Sequence, residues 1–457
     1  MAETVDVVVI GLGPGGEHVA QTLAGNGLTV VGVERHLVGG ECPYYGCIPS
    51  KMMIRAADAL AEARRVERLA GRTDVVSDWT PVAVRIDEEA TDGWDDEVAV
   101  ERLAKAGVRV LHGTGRLAGP GRVAVDVDGT VEEYDVRRGV VLNVGTEPAV
   151  PPIDGLAGTP YWTNRDVVRL KRLPASLLVL GGGAIGCEIA QAVARFGVEV
   201  TVVEAGERVL GPEEPEASEV VAAALERDGI QVRAGVGVES VAHDANGFTL
   251  SLAGGDQVAG DALLVAAGRR TNLSGIGLDT IGLDPDARSL ETDERMRAGE
   301  GVWAIGDITG KGAFTHVSMY QAAVAVRDIL GEEGPWADYR AVSRVTFTDP
   351  EVGSVGLTEK QARDAGIRVA VATSAVPESS RGWIHSVGNE GVIKVVADAD
   401  RGVLVGATTA GPAGGEMIGL LATAVHAEVP VARLRTMHFA YPTFHRGIET
   451  ALQDLGL

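Results

Sequence analysis

Cys42 and Cys47 are the residues of this chain best suited to chemistry. They lie in the run Gly39-Gly40-Glu41-Cys42-Pro43-Tyr44-Tyr45-Gly46-Cys47-Ile48-Pro49-Ser50-Lys51 and are two of only 3 cysteines in 457 residues. So few cysteines do not make a disulfide-stapled scaffold. On a regular helix, Cα atoms five positions apart are roughly 8 Å apart, and a disulfide tolerates at most about 7 Å. Closure therefore needs a break in the local helix, which Pro43 and Gly46 can supply. A bridge over so short a loop restricts the unfolded chain little, so stapling is a weak rationale for it. Two thiols beside a bound redox cofactor can instead take up its electrons and pass them on. The plainer alternative is a pair of packed thiols.

Such a pair needs elements that place it next to a cofactor, and these directly precede it. Val5–Ile10 is a short β-branched run, followed by Gly11-Leu12-Gly13-Pro14-Gly15-Gly16 and a helical pattern through Val19, Ala20, Leu23 and Ala24. A second apolar run, Leu28–Val33, ends at Glu34. In this strand–turn–helix–strand pattern Gly11 makes the tight turn, Gly13 admits a pyrophosphate and Gly16 lets helix and strand approach. The helix N-terminus then faces the phosphates and Glu34 the ribose hydroxyls. The pattern recurs as Leu177–Leu180, Gly181-Gly182-Gly183-Ala184-Ile185-Gly186, a helix through Ile189, Ala190, Val193 and Ala194, and Val198–Val203 ending at Glu204. Gly11 to Gly181 and Glu34 to Glu204 are both 170 positions. One such glycine motif is weak evidence, but two complete copies imply two dinucleotides. The cysteines follow the first copy, and a flavin reduces a disulfide more readily than nicotinamide does directly. The first site is therefore expected to hold FAD and the second the nicotinamide dinucleotide.

Composition narrows the class. The chain is long enough for about three domains. It holds 61 glycines and 45% hydrophobic residues with only 4% aromatics, as a Gly/Ala/Val-rich α/β protein would. A net charge of −23 disfavours nucleic acid and anionic membrane surfaces as partners. No basic leader opens the chain and no apolar run approaches a membrane span, so a soluble cytoplasmic protein is expected.

With these residues in hand, the chain resembles the pyridine nucleotide-disulfide oxidoreductases, the flavoprotein family of dihydrolipoamide dehydrogenase, glutathione reductase and mercuric reductase. The Gly39–Lys51 element is the most specific likeness. Asn143-Val144-Gly145-Thr146-Glu147-Pro148 resembles the turn that leaves the first FAD segment. Asp261–Asn272, with Gly268 and Arg269, resembles the return to the FAD domain, and Gly301–Asp307 the second FAD motif, where Asp307 would meet the ribityl chain. Val345–Glu351 and Gly411–Ile418 resemble an interface domain.

The resemblance implies an α/β fold with two Rossmann-like domains, for FAD and NAD, and a C-terminal α+β dimerisation domain in a homodimer. The expected segments are 1–148 (FAD, first part), 149–266 (NAD), 267–335 (FAD, second part) and 336–457 (dimerisation). It further implies hydride transfer from NADH to FAD, electrons passing to Cys47 as the flavin-side thiol, and Cys42 as the thiol that meets substrate. Lys51 matches the family lysine near the flavin N5, and Glu188 its carboxylate partner. Glu204 would bind a ribose diol and repel a 2′-phosphate, which favours NADH over NADPH, as does Gly186 in place of alanine. Arg208, four residues on, could in principle read a 2′-phosphate. No metal site is expected.

The pattern breaks near the C-terminus. Where most members carry His-Pro-Thr-x-x-Glu, this chain reads Tyr441-Pro442-Thr443-Phe444-His445-Arg446. Tyrosine titrates near 10 and is a poor base at neutral pH. His438 or His445 could take over, and His445 would share a face with Tyr441 if the segment were helical; packing is the plainer reading of either histidine alone. No cysteine follows Cys187, so metal hand-over by a C-terminal thiol pair, as in mercuric reductase, is excluded. Cys187 reads as a core thiol. A disulfide is the expected electron acceptor, and a quinone or metal ion is the alternative that the missing His-Glu pair supports.

Overall fold

Val30–Glu34 is buried at every position, which requires cover on both faces and so a parallel sheet with helices above and below. In the computed structural model, which describes residues 2–457, this strand pairs in parallel with Glu3–Ile10 and with Val108–His112. Glu3–Ile10 pairs in parallel with Thr130–Leu142, and that strand in turn with Val302–Ala304. An 8-stranded sheet results, with an antiparallel excursion through 114–127. Helix α1 (Pro14–Gly25) covers it with Val19, Ala20 and Leu23 inward.

The chain divides into two compact units. The first comprises residues 1–49, 84–149 and 269–338, the second 50–83, 150–268 and 339–457. The segment 50–83 clusters with the second unit because Asp58, Arg64 and Trp79 hydrogen-bond there to Arg195 and Leu170.

The second unit holds the repeated device and a further layer. Gln231–Ala234, Glu199–Glu204, Ser176–Leu180 and Ala262–Val265 form a 4-stranded parallel sheet, with a 3-stranded antiparallel sheet formed between residues 238 and 260. Residues 343–411 form a 5-stranded antiparallel sheet with the helix Gly414–His426 on it. Ile393, Val395, Met417, Leu421 and Ile448 are core residues there. This is the α/β architecture with a C-terminal α+β layer that the motifs imply. Within it Lys394, 3% exposed, is ringed by Glu214, Glu216 and Glu359 at 2.8–3.0 Å. Among the described residues no helix is long and apolar enough to cross a membrane.

Candidate active site

The two glycine turns repeat down to single hydrogen bonds. Glu34 accepts from Leu12 N–H at 2.8 Å and His36 N–H at 2.9 Å. Glu204 accepts from Gly182 N–H and Gly206 N–H, both at 2.6 Å. Each acid lies 22 positions after its first donor. Gly11 and Gly181 have φ of 93° and 112°, which side chains rarely adopt. A Cβ on Gly16 or Gly186 would come within 2.0 Å of the carbonyl of Gly11 or Gly181, so even alanine at 186 would force a shift. Neither Gly13 nor Gly183 caps its helix with a side chain. The first N–H groups of both helices therefore remain for a ligand, and both turns fit a pyrophosphate.

The cysteine loop docks on the first turn. Gly39 N–H donates to the Leu12 carbonyl at 2.8 Å, and a Cβ on Gly40 would lie 3.0 Å from Gly13 Cα. Helix α2 (Glu41–Tyr44) carries Cys42 and stops, and α3 (Cys47–Leu69) begins at the second cysteine. The break required for closure is thus a boundary between two helices. Of the two cysteines, Cys42 is half-buried and Cys47 exposed.

Cys47 Sγ is 3.6 Å from Thr315 Oγ1. Thr315 opens the helix Thr315–Leu330, whose N-terminus has no side-chain cap. The sulfur therefore sits at two helix N-termini, where partial positive charge favours a thiolate. Nothing in the motif spacing points to Thr315, since 268 positions separate it from Cys47.

Other residues of the first unit tie the loop to the expected flavin segments. Thr146 Oγ1 donates to Asp307 at 2.6 Å and accepts from Arg269 Nε at 2.7 Å. Arg269 Nη2 lies 3.5 Å from Glu41, beside Cys42. Gly145 has φ of 62° with open space where a Cβ would be. Asn143 donates from Nδ2 to the Gly11 carbonyl at 3.3 Å, and its Oδ1 accepts from Ser318 at 3.3 Å.

In the second unit, Lys51 Nζ donates to Glu188 at 2.7 Å, and the other Glu188 oxygen accepts from Phe347 N–H at 2.8 Å. The ammonium lies 4.5 Å over the Phe347 ring. A cavity of about 250 Å³ at the second turn is lined by Gly182, Gly183, Glu204 and Arg208. Arg208 donates to the carbonyls of Gly211 and Glu213, both at 2.8 Å, while its Nε is buried with no partner. Gly268, also in this unit, has φ of 120° with nothing near a Cβ.

The family description "Pyridine nucleotide-disulphide oxidoreductase" fits residues 5–327, and its dimerisation domain fits residues 342–452. The chain belongs to the pyridine nucleotide-disulphide oxidoreductases. Dihydrolipoyl dehydrogenase of Chlorobaculum tepidum is 34% identical over 461 residues, 99% of this chain and 97% of that protein. Mercuric reductase of Streptomyces lividans is 31% identical over 456 residues, 98% and 95% of the two chains. Among solved structures, LpdA from Mycobacterium tuberculosis superposes with a TM-score of 0.86 at 26% identity, covering 99% of this chain and all of that one. The HOCl-induced flavoprotein disulfide reductase RclA from Escherichia coli, in a Cu(II) complex, gives 0.86 at 28% identity, covering 99% of each chain.

Members of the pyridine nucleotide-disulphide oxidoreductases are enzymes that use FAD and NAD(P)H, and the matched dimerisation domain implies a homodimer. In this member the C-terminal departures sit together. Tyr441 is 68% exposed, and the Arg446 guanidinium lies 5.7 Å from its ring centre. Arg446 also pairs with Glu449 at 3.1 Å. The segment from Phe439 to His445 is not helical; the last helix begins at Arg446. Tyr441 and His445 therefore do not share a helical face, because Pro442 interrupts the run and leaves His445 as the N-cap residue. His445 instead lines a cavity of about 430 Å³ with Arg381, Met417 and Phe444. His438 is exposed. Cys187 is fully buried, donates to the Gly182 carbonyl at 3.3 Å, and burial pushes its thiol up to about 12.

Proposed function

We propose that this enzyme carries electrons from NADH through FAD to the Cys42/Cys47 pair and on to a disulfide substrate. The observation that carries the reading is the Cys47 sulfur at Thr315, at the head of two helices. Bound FAD would supply the acceptor for hydride and the donor of electrons to the pair. The turn glycines Gly11, Gly13 and Gly16 with Glu34, Gly145, Asp307 and Arg269 would hold it. The chain's own residues do the rest. Thr315 and the helix N-termini favour Cys47 as thiolate, so that Cys42 is freed as the thiol that attacks the substrate disulfide. Lys51, held by Glu188, places positive charge where negative charge develops on reduction. Gly181, Gly183, Gly186 and Glu204 would hold the nicotinamide dinucleotide. Glu204 supports NADH, since its carboxylate can bind a ribose diol and would repel a 2′-phosphate.

A second reading keeps the cofactors and changes the acceptor to a quinone or a metal ion. It is favoured by Tyr441 and Arg446, which lie together with the guanidinium 5.7 Å from the ring centre and supply no carboxylate-oriented imidazole to a thiol. Steady-state activity of Cys42→Ser decides between the two. Loss of NADH oxidation against every acceptor supports the dithiol route. Full activity with quinones or Cu(II) supports the second reading. Tyr441→His alone should not restore fast disulfide reduction, because Arg446 cannot orient an imidazole as glutamate does.

A further inference from the structure

Residues 85–96 form a built support for the cysteine loop. A π-helical turn, Arg85–Ala90, leads into Thr91, which is 1% exposed. Its hydroxyl donates to the carbonyls of Ile86 at 2.9 Å and Asp87 at 3.1 Å, and accepts from Trp94 N–H at 3.3 Å. Gly93 N–H donates to the Asp87 carbonyl at 2.7 Å. The next three residues after Thr91 are all left-handed, Asp92 at φ 49°, Gly93 at 68° and Trp94 at 60°. Two of them are not glycine, and such backbone persists only where its surroundings hold it.

This turn grips the redox loop at three points. Trp94 Nε1 donates to the Tyr44 carbonyl at 3.2 Å. The Tyr44 hydroxyl donates back to the Asp95 carbonyl at 3.2 Å. Asp96 accepts from Val38 N–H at 2.6 Å, just before Gly39 and Gly40. Tyr44 is 6% exposed, and burial with the nearby Asp96, Glu17 and Asp95 carboxylates pushes its hydroxyl up to about 12, so it stays a donor at neutral pH. Tyr44 is the last residue of α2, three residues before the cysteine that opens α3.

We propose that Trp94 is a positioning residue that holds Tyr44 in the Cys42–Cys47 loop and so sets the equilibrium between dithiol and disulfide. The inference rests on the redox reading of the pair. Closure forms one S–S bond and releases two protons and two electrons, and the loop must bring its ends together for it. A loop already held near closure loses little freedom when the bond forms. A released loop gains conformations mainly in the open dithiol, which then becomes favoured.

The test equilibrates the purified flavin-containing protein with dithiothreitol buffers of graded reduced-to-oxidised ratio. Protein disulfide plus dithiothreitol gives protein dithiol plus oxidised dithiothreitol, and the Cys42–Cys47 peptide is counted by acid quench, alkylation and mass. Trp94→Phe keeps an aromatic side chain, smaller than the indole, and removes the N–H. It should shift the exchange constant at least fivefold toward dithiol with little change in melting temperature. Tyr44→Phe, which removes the return bond, should shift it in the same direction by less, and serves if Trp94→Phe does not fold. Exchange constants within twofold of wild type in every variant that folds overturn the positioning role alone. A wild-type pair that never oxidises overturns this proposal and the redox reading together.

Discussion

Lys51 and Glu188 meet at 2.7 Å although 137 positions separate them. Glu188 is 5% exposed, so the pair is anchored at its buried end and open at the lysine. Phe347 holds it from both sides, donating its N–H to the carboxylate and lying under the ammonium. Glu188→Gln keeps the shape and removes the charge. On the proposed reading the reduction of bound flavin by NADH slows about tenfold, or about 1.4 kcal/mol in the barrier. Rapid-mixing spectroscopy measures it, and an unchanged rate would make the pair structural only.

The three cysteines should differ sharply toward an alkylating reagent. Burial pushes the Cys187 thiol up to about 12, so it stays protonated and enclosed at pH 8. Mass spectrometry of the reduced native protein should find Cys42 and Cys47 labelled and Cys187 labelled only after unfolding. Labelling of Cys187 at a rate comparable to Cys47 would contradict its place in the core.

Asp58 gives a pH signature. Its carboxylate is pushed up to about 6 by burial, against the pull of Arg195 and with the push of Asp349 and Glu351. A folded value above the unfolded one means that the native state holds the proton longer. The contribution of Asp58 to stability is therefore full below about pH 4 and is lost as pH rises through 6. Asp349, held low by Arg195 and Arg65 although burial opposes them, contributes the opposite trend at lower pH. The melting temperature of wild type minus that of Asp58→Asn should fall between pH 4 and pH 6. A flat difference over that window removes Asp58 as the titrating group.

Glu204 supports its own turn as well as facing the expected ribose. Removing a charged hydrogen-bond acceptor costs about 1.5–3 kcal/mol. Glu204→Ala should raise the KM for NADH about tenfold and narrow the preference over NADPH. Steady-state kinetics with both coenzymes show whether both values move. If neither does, Glu204 does not read the ribose.

Local geometry made much of this protein legible in its residues alone. A glycine turn followed by a helix is specified over a few positions, since φ above zero and close helix approach each demand glycine where they occur. The same acid-to-turn bonds therefore arise in both copies, 22 positions apart each time. The alternation between apolar runs and helical patterns determined the α/β class in the same way. Tertiary structure alone decided which distant groups meet the reactive atoms. Thr315 beside Cys47, Asn143 beside Gly11 and Trp94 at the Tyr44 carbonyl are joined across 268, 132 and 50 positions. No periodicity or spacing encodes such meetings. They follow from how the sheet orders its strands, and the acidic stretch from Glu62 to Glu101, legible only as helix and loop, shows its part at the thiols only once folded.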